Sequence, residues 1–419
     1  MGSGVAKMLL ARREFLARKA GIPLVLKRVS LRNRRKVRSI RVDPRLVTTD
    51  PRKVVDDPEV DVVVELMGGV HPAKELVLKA LENKKPVVTA NKALLAHHGT
   101  EVFRAAARAG VDLYFEASVA AGIPIIKSLR EGLIGNDLEV LYGILNGTTN
   151  FILTEMSGRD GRSFKSALKE AQHRGYAERN PSLDLKGVDT AHKLAVLTLL
   201  AFGKAVPPDQ IYVEGIQDIT VNDVRYAHDF GYTIKLLGIA KRDGDELEVR
   251  VHPTLLPNNH LLSSVDGVHN AVFVKGDLIG ELVLYGQGAG RLPTTSAVLA
   301  DLVDVARNLK YQSPLRVPPP LAMRRIRRVR RVGEIEGRYY FRFSCIDRPG
   351  VLARISKILG SHRISIASVL QKDRRREQIV PVVMMTHDAR ERDVQEALAE
   401  IDRLAMIRRK SVSIRMERG

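Results

Sequence analysis

The chain has few of the residues that disulfide-rich, zinc-rich or base-stacking proteins need. It contains one cysteine, Cys345, and no tryptophan, and aromatic residues make up 5% of the sequence. A single cysteine excludes a disulfide scaffold or a cysteine-rich zinc module and is typical of a reducing compartment. The longest apolar stretch, near residues 194–203, is about half as long as a bilayer crossing requires. With no apolar signal region at the first residues, we expect a cytoplasmic protein without a membrane partner.

Acidic residues are also in deficit, because 68 Lys and Arg oppose 48 Asp and Glu, for a net charge of +20. Such a charge is typical of proteins that bind nucleic acids or membrane surfaces, and residues 323–332 form an arginine-rich run. The chain lacks the interleaved aromatic residues that stack on bases. We therefore expect no nucleic-acid partner, and nucleic-acid binding is retained only as an alternative function.

The length and composition indicate an ordinary globular protein of several domains. Hydrophobic residues make up 44% and charged residues 28% of the 419 residues, values that exclude gross disorder. A chain of this length is too long for one compact core and predicts roughly two to four domains. The sequence contains no Walker loop, no helical zinc motif and no Gly-x-Ser-x-Gly elbow.

The first third of the chain alternates β-branched runs with helical stretches, which predicts an α/β fold with a doubly wound, parallel sheet of the Rossmann type. The predicted strands are residues 24–31, 60–65, 86–89 and 111–115, and the predicted helices are residues 6–19, 73–82 and 101–109. Ligands of such sheets lie at the carboxyl ends of the strands. Those ends carry Met67-Gly68-Gly69, Thr89-Ala90-Asn91-Lys92 and Glu116-Ala117-Ser118-Val119. Each loop taken alone is more often merely solvated, but three together favour a crevice.

The beginning of the chain departs from this pattern, because Gly2 and Gly4 run straight into the first helix. A dinucleotide-binding fold starts with a strand and a glycine-rich loop that bring the pyrophosphate to a helix N-terminus. We interpret the two glycines as the end of such a loop and expect the first strand to be missing through a misplaced start. Without that strand, we expect poor cofactor binding.

The middle of the chain holds the most chemistry. Residues 175–193 contain Glu178, Asp184, Asp189 and Lys193 just before an apolar helical stretch. Asp189 and Lys193 are four positions apart and would share one face of a helix. Such a pair is usually a solvated ion pair, but a lysine at the wet end of a buried helix can act as a proton donor. His192 is more typical of a packing residue than of a ligand.

Two further predictions complete the organisation of the chain. Residues 286–297 form a glycine-rich turn into a helix, which suits either close approach of a cofactor or a plain turn between domains. The helix predicted at residues 297–306 should pack back on the first domain. After a proline-rich stretch, residues 339–416 follow the order β-α-β-β-α-β of a ferredoxin-like unit.

Taken together, these segments resemble homoserine dehydrogenase over essentially the whole chain. The resemblance rests on residues 64–69, 89–95, 115–119 with 122–124, 143–150, 175–193 and 286–300. The Asn-Gly-Thr-Thr-Asn run at residues 146–150 and the carboxylate-rich segment are highly specific to that family. The C-terminal unit, with Asp-Arg-Pro-Gly-Val-Leu at residues 347–352, resembles an ACT domain. The resemblance implies NAD(P)-dependent interconversion of L-homoserine and L-aspartate 4-semialdehyde in threonine, methionine and isoleucine synthesis.

The resemblance also implies roles for individual residues. Lys193 would protonate the aldehyde oxygen, Asp189 would position the lysine, and Lys92 would lie beside nicotinamide and substrate. Glu178, with Asp184 nearby, would bind the substrate ammonium. The cofactor-binding positions would be Gly2, Arg32, Thr89, Lys92 and Gly288. The backbone around Glu116, Val119, Ala121 and Ile123 matches the monovalent-cation site of the family, so a cation such as Na⁺ is expected.

Cofactor choice, regulation and assembly remain expectations. Arginines at residues 32–36 follow the second predicted strand, where an acidic residue favours NAD, so we expect NADP, with NAD possible. The ACT domain would bind an amino-acid effector, threonine in this family, and the assembly would be a homodimer or homotetramer. The expected domains are a cofactor domain (1–124, completed by 297–320), a substrate and dimerisation domain (125–296), a basic linker (321–337) and the ACT domain (338–419). A catalytically impaired amino-acid-sensing regulator is the alternative.

Overall fold

A computed structural model describes residues 1–33, 42–158, 161–320, 326–371 and 379–418. The chain forms two compact units. The first unit consists of Met1–Glu139, His192–Gln210 and Asn270–Ile326, and the second of Val140–Ala191, Ile211–His269 and Arg327–Gly419. Within the described residues, none of the helices combines the length and apolarity that a membrane span would need.

The regular elements of both units are numbered along the chain. The helices are α1 (Gly2–Ala11), α2 (Arg13–Ala20), α3 (Arg52–Val55), α4 (Ala73–Glu82), α5 (Lys92–Ala109), α6 (Ile125–Lys127), α7 (Gly147–Ser157), α8 (Phe164–His173), α9 (Ser182–Leu185), α10 (Val188–Phe202), α11 (Val221–Asp229), α12 (Arg291–Lys310), α13 (Val351–Ser361) and α14 (Glu391–Ile401). The strands are β1 (Val29–Ser30), β2 (Val47–Thr48), β3 (Val63–Glu65), β4 (Val87–Thr89), β5 (Leu113–Tyr114), β6 (Leu138–Ile144), β7 (Tyr212–Val213), β8 (Tyr232–Asp243), β9 (Glu246–Pro257), β10 (His269–Gly276), β11 (Gly280–Gln287), β12 (Arg328–Val329), β13 (Glu336–Ile346), β14 (Ile366–Leu370), β15 (Ile379–Thr386), β16 (Ala389–Arg390) and β17 (Ile407–Met416).

The first unit contains the predicted parallel sheet. β3, β4 and β5 pair in parallel, with Val63 opposite Val87 and Val87 opposite Leu113, and α4 and α5 connect them. Helix α12 packs on α1, α2 and β4, so the prediction that this helix returns to the first domain is confirmed. Their shared core includes Val88 and Val298, both fully buried.

The predicted strand at residues 24–31 is wrong over most of its length, because only Val29 and Ser30 form β1. β1 pairs with β2 in a separate two-stranded parallel sheet. Residues 24–28 have no neighbouring strand among the described residues. A cavity of about 540 Å³ lies beside them, lined by residues 22–30, β3 and α1. In a doubly wound fold the first strand lies between the second and the fourth. An extended segment needs a neighbouring strand for its backbone hydrogen bonds, and the described residues supply none there.

The predicted helix at residues 6–19 is divided in two. Arg12 has φ −114° and ψ 24°, outside the helical region, and separates α1 from α2, although its amide still bonds the Met8 carbonyl oxygen and its carbonyl oxygen accepts from the Leu16 amide. α2 then ends at Gly21, whose φ of +75° is readily adopted only by glycine.

The second unit is built on a mixed sheet. Its strands follow the order β6-β8-β9-β17-β13-β15-β14. β8 and β9 form a long antiparallel hairpin in which Asp243 lies opposite Glu246. The other edge of β9 makes three short stretches of parallel pairing, with β12, β7 and β17. The sequence pattern of residues 246–251 predicts a strand, and these residues form the first half of β9, whereas no pattern predicts β8.

The C-terminal part of the second unit confirms the predicted β-α-β-β-α-β order. β13, α13, β14, β15, α14 and β17 follow one another, with the two-residue β16 inserted before α14. Tyr339, Phe341 and Phe343 of β13 face a core formed with α13 and α14. β17 also pairs with β9, at Arg415 opposite Thr254 and Met416 opposite Leu255. The ACT-like sheet therefore continues into the sheet of the preceding domain.

The arginine-rich run has a structural role in its described part, residues 326–332. β12 runs parallel to β9, and Arg328 and Arg330 donate hydrogen bonds to the Glu246 carboxylate. Arg330 and Arg328 lower the pKa of Glu246 to about 2. Arg330 also bonds Asp243 at 2.6 Å. Residues 321–325 lie outside the described residues.

Candidate active site

Three polar residues of the second unit meet at one amide. Asn146 Nδ2 donates a hydrogen bond of 2.7 Å to Asp184 Oδ1 and another of 2.9 Å to Asp189 Oδ2. Asn146 and Asp189 are buried, whereas Asp184 is partly exposed. Because each carboxylate accepts from the same amide, the two are held close together with one partly open to solvent. Such a pair of anions suits an ammonium group.

The local sequence explains why Asn146 points this way. Its Oδ1 accepts a hydrogen bond of 2.9 Å from the Thr149 amide and so caps the N-terminus of α7. The capping bond uses the oxygen and leaves both N–H groups for the carboxylates. Gly147 allows close approach of the segment that contains Val268, since a Cβ on residue 147 would lie 2.6 Å from the Val268 carbonyl oxygen. Thr148 Oγ1 donates to the Tyr176 carbonyl oxygen at 2.7 Å and ties α7 to the carboxylate-rich segment.

Asp189 and Lys193 lie one turn apart on α10, as the spacing predicts. Their exposed fractions are 7% and 8%, respectively, so the pair is not a solvated surface ion pair. The rest of α10 is almost entirely apolar and buried. A lysine at the polar end of such a helix meets the structural requirement for a proton donor. The His192 ring packs edge-on against His97 at 5.1 Å, which agrees with the packing role expected for it.

Glu178 differs from these residues because it lies in an exposed stretch. Its carbonyl oxygen accepts a hydrogen bond of 3.2 Å from Gln172 Nε2 at the end of α8. The described hydrogen bonds connect Asp184 and Asp189 to Asn146, and they do not include the Glu178 carboxylate.

In the first unit, a second polar network joins the ends of β3 and β4. The buried Glu65 carboxylate accepts hydrogen bonds from Thr89 Oγ1 at 2.6 Å and from the Met67 amide at 2.7 Å. Thr89 Oγ1 accepts from the Asn91 amide at 3.0 Å, and Asn91 Nδ2 donates to the Gly69 carbonyl oxygen at 2.6 Å. These bonds fix the two strand-end loops that the sequence predicts as a crevice.

The strand-end network also places Lys92. Asn91 Oδ1 caps α5 by accepting from the Leu94 amide, and Lys92 is the first residue of that helix. Lys92 therefore lies at the carboxyl edge of the sheet, directly after β4. Gly68 and Gly69 both have φ of +75°, so this loop requires residues that tolerate the left-handed region.

Gly2 and Gly4 lie in the first turn of α1, which has no side-chain cap. A Cβ on Gly4 would lie 2.7 Å from Thr295 Oγ1 and 3.0 Å from Arg291 Cγ, so Gly4 permits close packing of α1 on α12. A Cβ on Gly2 would meet nothing within 4 Å. An uncapped helix start of this kind offers backbone N–H groups to an anion.

Two more predicted cofactor positions have different settings. Gly288 has a steric reason to be glycine, because a Cβ there would lie 2.0 Å from Asn270 Cγ. The Asn270 Oδ1 is buried without a hydrogen-bond partner. Arg32 is exposed and follows β1, whereas residues 34–36 of the predicted arginine tip lie outside the described residues.

The predicted cation loop is a buried segment of the first unit. Val119, Ala121 and Ile123 are all buried. The Glu116 carboxylate accepts from the Ile126 and Lys127 amides at 2.9 and 2.8 Å. Burial raises the pKa of Glu116 to about 7 against the effect of those bonds.

A second acid adjoins this loop. Asp301 accepts a hydrogen bond of 2.9 Å from the Glu116 amide. Burial and the nearby Glu116 raise the pKa of Asp301 well above its usual value. Among the described residues no cluster of three or more His, Cys, Asp or Glu side chains is arranged to hold a metal, so any ion here would depend on backbone carbonyls.

Comparison with known proteins identifies the family. Models described as "Homoserine dehydrogenase", "Homoserine dehydrogenase, NAD binding domain" and "ACT domain" match residues 124–303, 1–116 and 339–405. The homoserine dehydrogenase of Pseudomonas aeruginosa is 44% identical over 100% of this chain and 96% of its own length. The chain belongs to the homoserine dehydrogenase family. The crystal structure of a homoserine dehydrogenase from Thiobacillus denitrificans has a TM-score of 0.90 and 46% identity, covering 99% of this chain and 95% of that one.

Membership of the homoserine dehydrogenase family settles the reaction and the fold class. The protein is an oxidoreductase that interconverts L-homoserine and L-aspartate 4-semialdehyde, and it carries a Rossmann-like NAD-binding domain and a C-terminal ACT domain. The regulator alternative is not favoured. A hyperthermophilic archaeal homoserine dehydrogenase, solved in complex with NADPH, is 29% identical with a TM-score of 0.54 over 62% of this chain and 75% of its own.

Asn146 and Glu65 are among the residues of these networks that were not predicted as site residues. Asn146 lies in the Asn-Gly-Thr-Thr-Asn run, and its position before a helix signals a cap, but nothing local indicates that its amide reaches carboxylates 38 and 43 residues away. Glu65 is the last residue of an apolar strand. An acid ending a buried strand is a signal that could have been read, because burial demands partners.

Proposed function

We propose that Lys193, Asp189, Asp184 and Glu178 carry proton transfer and substrate binding in this homoserine dehydrogenase. The observation that supports the assignment is the Asn146 amide, which holds Asp184 and Asp189 together one helical turn from Lys193. Asp184 and Glu178 bind the ammonium group of the amino-acid substrate. The positive ammonium group is attracted by the negative carboxylates. The Asn146 amide bonds both Asp184 and Asp189 and so offsets part of the repulsion between these two carboxylates.

Lys193 acts on the oxygen of the reacting carbon. In the reductive direction its ammonium group donates a proton to the aldehyde oxygen, which becomes the homoserine hydroxyl, and in the oxidative direction the neutral amine takes that proton back. Asp189 positions the amine from one turn earlier on α10 and stabilises its charged form. Exclusion of water by the apolar remainder of the helix strengthens these interactions.

The dinucleotide supplies or accepts the hydride when it is bound. In the first unit, the uncapped start of α1 at Gly2 suits its phosphates, and the fixed strand-end loops with Thr89 and Lys92 suit the nicotinamide end. Gly288, in the glycine-rich turn, is also assigned to the cofactor, although its contact with Asn270 explains the glycine on packing grounds alone.

NADP is the cofactor we propose, with NAD as the second candidate. Arg32 is exposed after β1 and can pair with a 2′-phosphate, whereas an acidic residue at this point would favour the free ribose hydroxyls of NAD. The archaeal relative was solved with NADPH, which supports the same choice.

A monovalent cation such as Na⁺ is a further part of the proposal. When ionised, the buried acids Glu116 and Asp301 give the loop of Val119, Ala121 and Ile123 a negative charge. Burial raises the pKa of both acids, and the nearby Glu116 adds to the rise at Asp301. A cation bound by backbone carbonyls would offset that charge. Replacement of NaCl by choline chloride at equal ionic strength should reduce activity if the ion is required.

We further propose a location, an assembly, an effector and domain bounds for this chain. They are a cytoplasmic location, a homodimer or homotetramer, threonine as ACT effector, and domains at 1–124 with 297–320, 125–296, 321–337 and 338–419. An inhibition curve with threonine, compared with serine and valine, tests the effector. Light scattering tests the assembly.

The test of the residue roles follows NADPH absorbance with aspartate 4-semialdehyde. Lys193→Ala should lower kcat by about 10²- to 10⁴-fold, the usual contribution of a positioned acid. Lys186→Ala, which removes an exposed lysine from the same segment, is the matched control and should retain wild-type rates. Equal activity of Lys193→Ala and wild type would refute the assignment.

A further inference from the structure

The segment that carries Asp184 packs against the residues that follow strand β7. The Ile216 amide donates a hydrogen bond of 3.0 Å to the Leu185 carbonyl oxygen. Gly215 has no room for a side chain, because a Cβ there would lie 2.2 Å from the same oxygen and 2.8 Å from Lys186 Cα. Residues 184–187 therefore cannot move without displacing residues 213–216.

Glu214, which directly precedes this contact, is held by an ion pair. Its Oε2 accepts hydrogen bonds from Arg415 Nη1 at 2.7 Å and from the Tyr212 hydroxyl at 2.9 Å. Arg415 Nη2 donates to the Tyr212 hydroxyl at 3.0 Å, and the guanidinium lies 4.9 Å from the centre of the Tyr212 ring. Arg415 and Tyr212, which also bond each other, thus fix one carboxylate, which is 36% exposed.

Arg415 belongs to the ACT domain, and its other partner lies there as well. It donates to both oxygens of Glu391, at 2.7 and 2.6 Å, and Glu391 is the first residue of α14. Tyr339 of β13 donates to the same carboxylate at 2.8 Å. Since the Arg415 side chain is only 7% exposed, this bidentate geometry is rigid. A shift of α14 or β17 would therefore move the group that holds Glu214.

We propose that Glu214 is a positioning residue through which Arg415 of the ACT domain holds the Asp184 segment in its substrate-binding geometry. The proposal rests on the assignment of Asp184 to the substrate. Glu214 touches neither substrate nor reacting atoms. Its effect travels through residues 215 and 216 to α9, and it sets the affinity for the amino-acid substrate rather than the rate of proton transfer.

Glu214→Gln in the full chain tests the proposal, because the amide fills the same volume without the charge. The KM for homoserine should rise about 3- to 30-fold, the range found when a coupling contact is removed, with kcat and the KM for the dinucleotide within about twofold of wild type. Glu214→Asp keeps the charge and should recover part of the affinity. Arg418→Gln breaks an exposed pair with Asp388 in the same unit and should leave all constants unchanged.

Arg415→Lys provides the second arm. It keeps the charge but loses the fork that reaches Glu391 and Glu214 together, so the KM for homoserine should again rise. The double variant Glu214→Gln/Arg415→Lys should raise KM no further than the worse single variant, because both remove one contact. If the increases in homoserine KM of the two single variants added up in the double variant, the proposed coupling of Arg415 to Glu214 would be wrong.

Asp184→Asn separates this proposal from the substrate assignment. If Asp184→Asn raises the homoserine KM while Glu214→Gln, folded by circular dichroism, leaves it unchanged, the positioning role is wrong and the assignment of Asp184 stands. If Asp184→Asn itself leaves KM unchanged, the assignment fails and the positioning role falls with it. A rise in KM for both variants, absent in Arg418→Gln, supports both.

Discussion

Asn146 lies 2.7 Å from Asp184 through a single hydrogen bond that also depends on the cap of α7. The same side chain serves as helix cap and as bridge between two carboxylates, so the start of the helix and the geometry of the substrate site are not independent. A substitution that removes the Asn146 cap also removes the hydrogen bonds that orient Asp184 and Asp189.

Asn146→Ala should lower kcat/KM for homoserine by about 10- to 100-fold, since the acids would lose their common orientation and small misplacements are costly. The variant should also lose about 1 kcal/mol of stability with the cap. Asn258→Ala removes an exposed amide that bonds Thr233 and is the matched control. Wild-type kinetics in Asn146→Ala, measured on folded protein, would argue against the bridge as a functional contact.

Arg32→Ala should reduce kcat/KM for NADPH by about tenfold, because one charge-assisted contact to the 2′-phosphate is lost. The value for NADH should stay unchanged, since NADH lacks that phosphate. The ratio of the two constants is the readout, and Arg18→Ala, an exposed arginine on α2, serves as control. A clear preference of the wild-type protein for NADH would refute the choice of NADP.

Gly288→Ala should destabilise the protein by about 1–3 kcal/mol, the usual cost of overpacking. The new methyl group would overlap the Asn270 side chain. Asn270→Ala should recover part of the loss in the double variant, which thermal unfolding can measure. Gly135→Ala, where a Cβ meets nothing within 4 Å, should be close to neutral.

Glu417→Gln should lower the free energy of unfolding by about 3 kcal/mol at pH 7, the cost of removing one partner from a buried ion pair. Burial by itself would raise the pKa of Glu417, but Lys241 and Arg250 outweigh it and hold the pKa below its usual value. This stability is present above the unfolded carboxyl pKa of about 4.3. It is lost as the pH falls through the lower folded value.

The difference in the free energy of unfolding between wild type and Glu417→Gln should therefore become smaller as the pH falls below about 4. Urea unfolding across the pH range provides the measurement. A gap that stayed constant with pH would show that the glutamate contributes packing and not charge.

Sequence patterns predicted those elements whose signal is local. The helix at residues 73–82 matches α4 to the residue, and the alternation of the C-terminal strands identified the ACT order, because period and turn signals lie within a few residues of one another. The strand at residues 24–31 failed for the opposite reason. Its leucine- and valine-rich composition suits a strand, but a strand forms only beside a partner, and composition carries no information on the partner.

The polar networks were less predictable than the elements. Asp189 and Lys193 could be paired in advance, since four residues along one helix suffice. Glu417 and Arg250 are 167 residues apart, and Arg415 and Glu214 are 201 apart. Charge alone does not select among 68 basic and 48 acidic residues. Only the pairing of β17 with β9 brings these partners together, and that pairing joins two domains which the sequence predicts separately.

The pairing of β17 with β9 limits how the ACT domain can be exchanged. The second edge of β9 is completed by short parallel pairings with β12, β7 and β17, and β17 is the final strand of the chain. Cutting the protein before the ACT domain would expose backbone groups at Thr254 and Leu255, a template for aggregation. It would also remove Arg342 and Tyr340, which donate hydrogen bonds to the buried Asp223 carboxylate. The ACT domain is thus not a detachable module, and its removal would compromise the solubility of the rest of the protein.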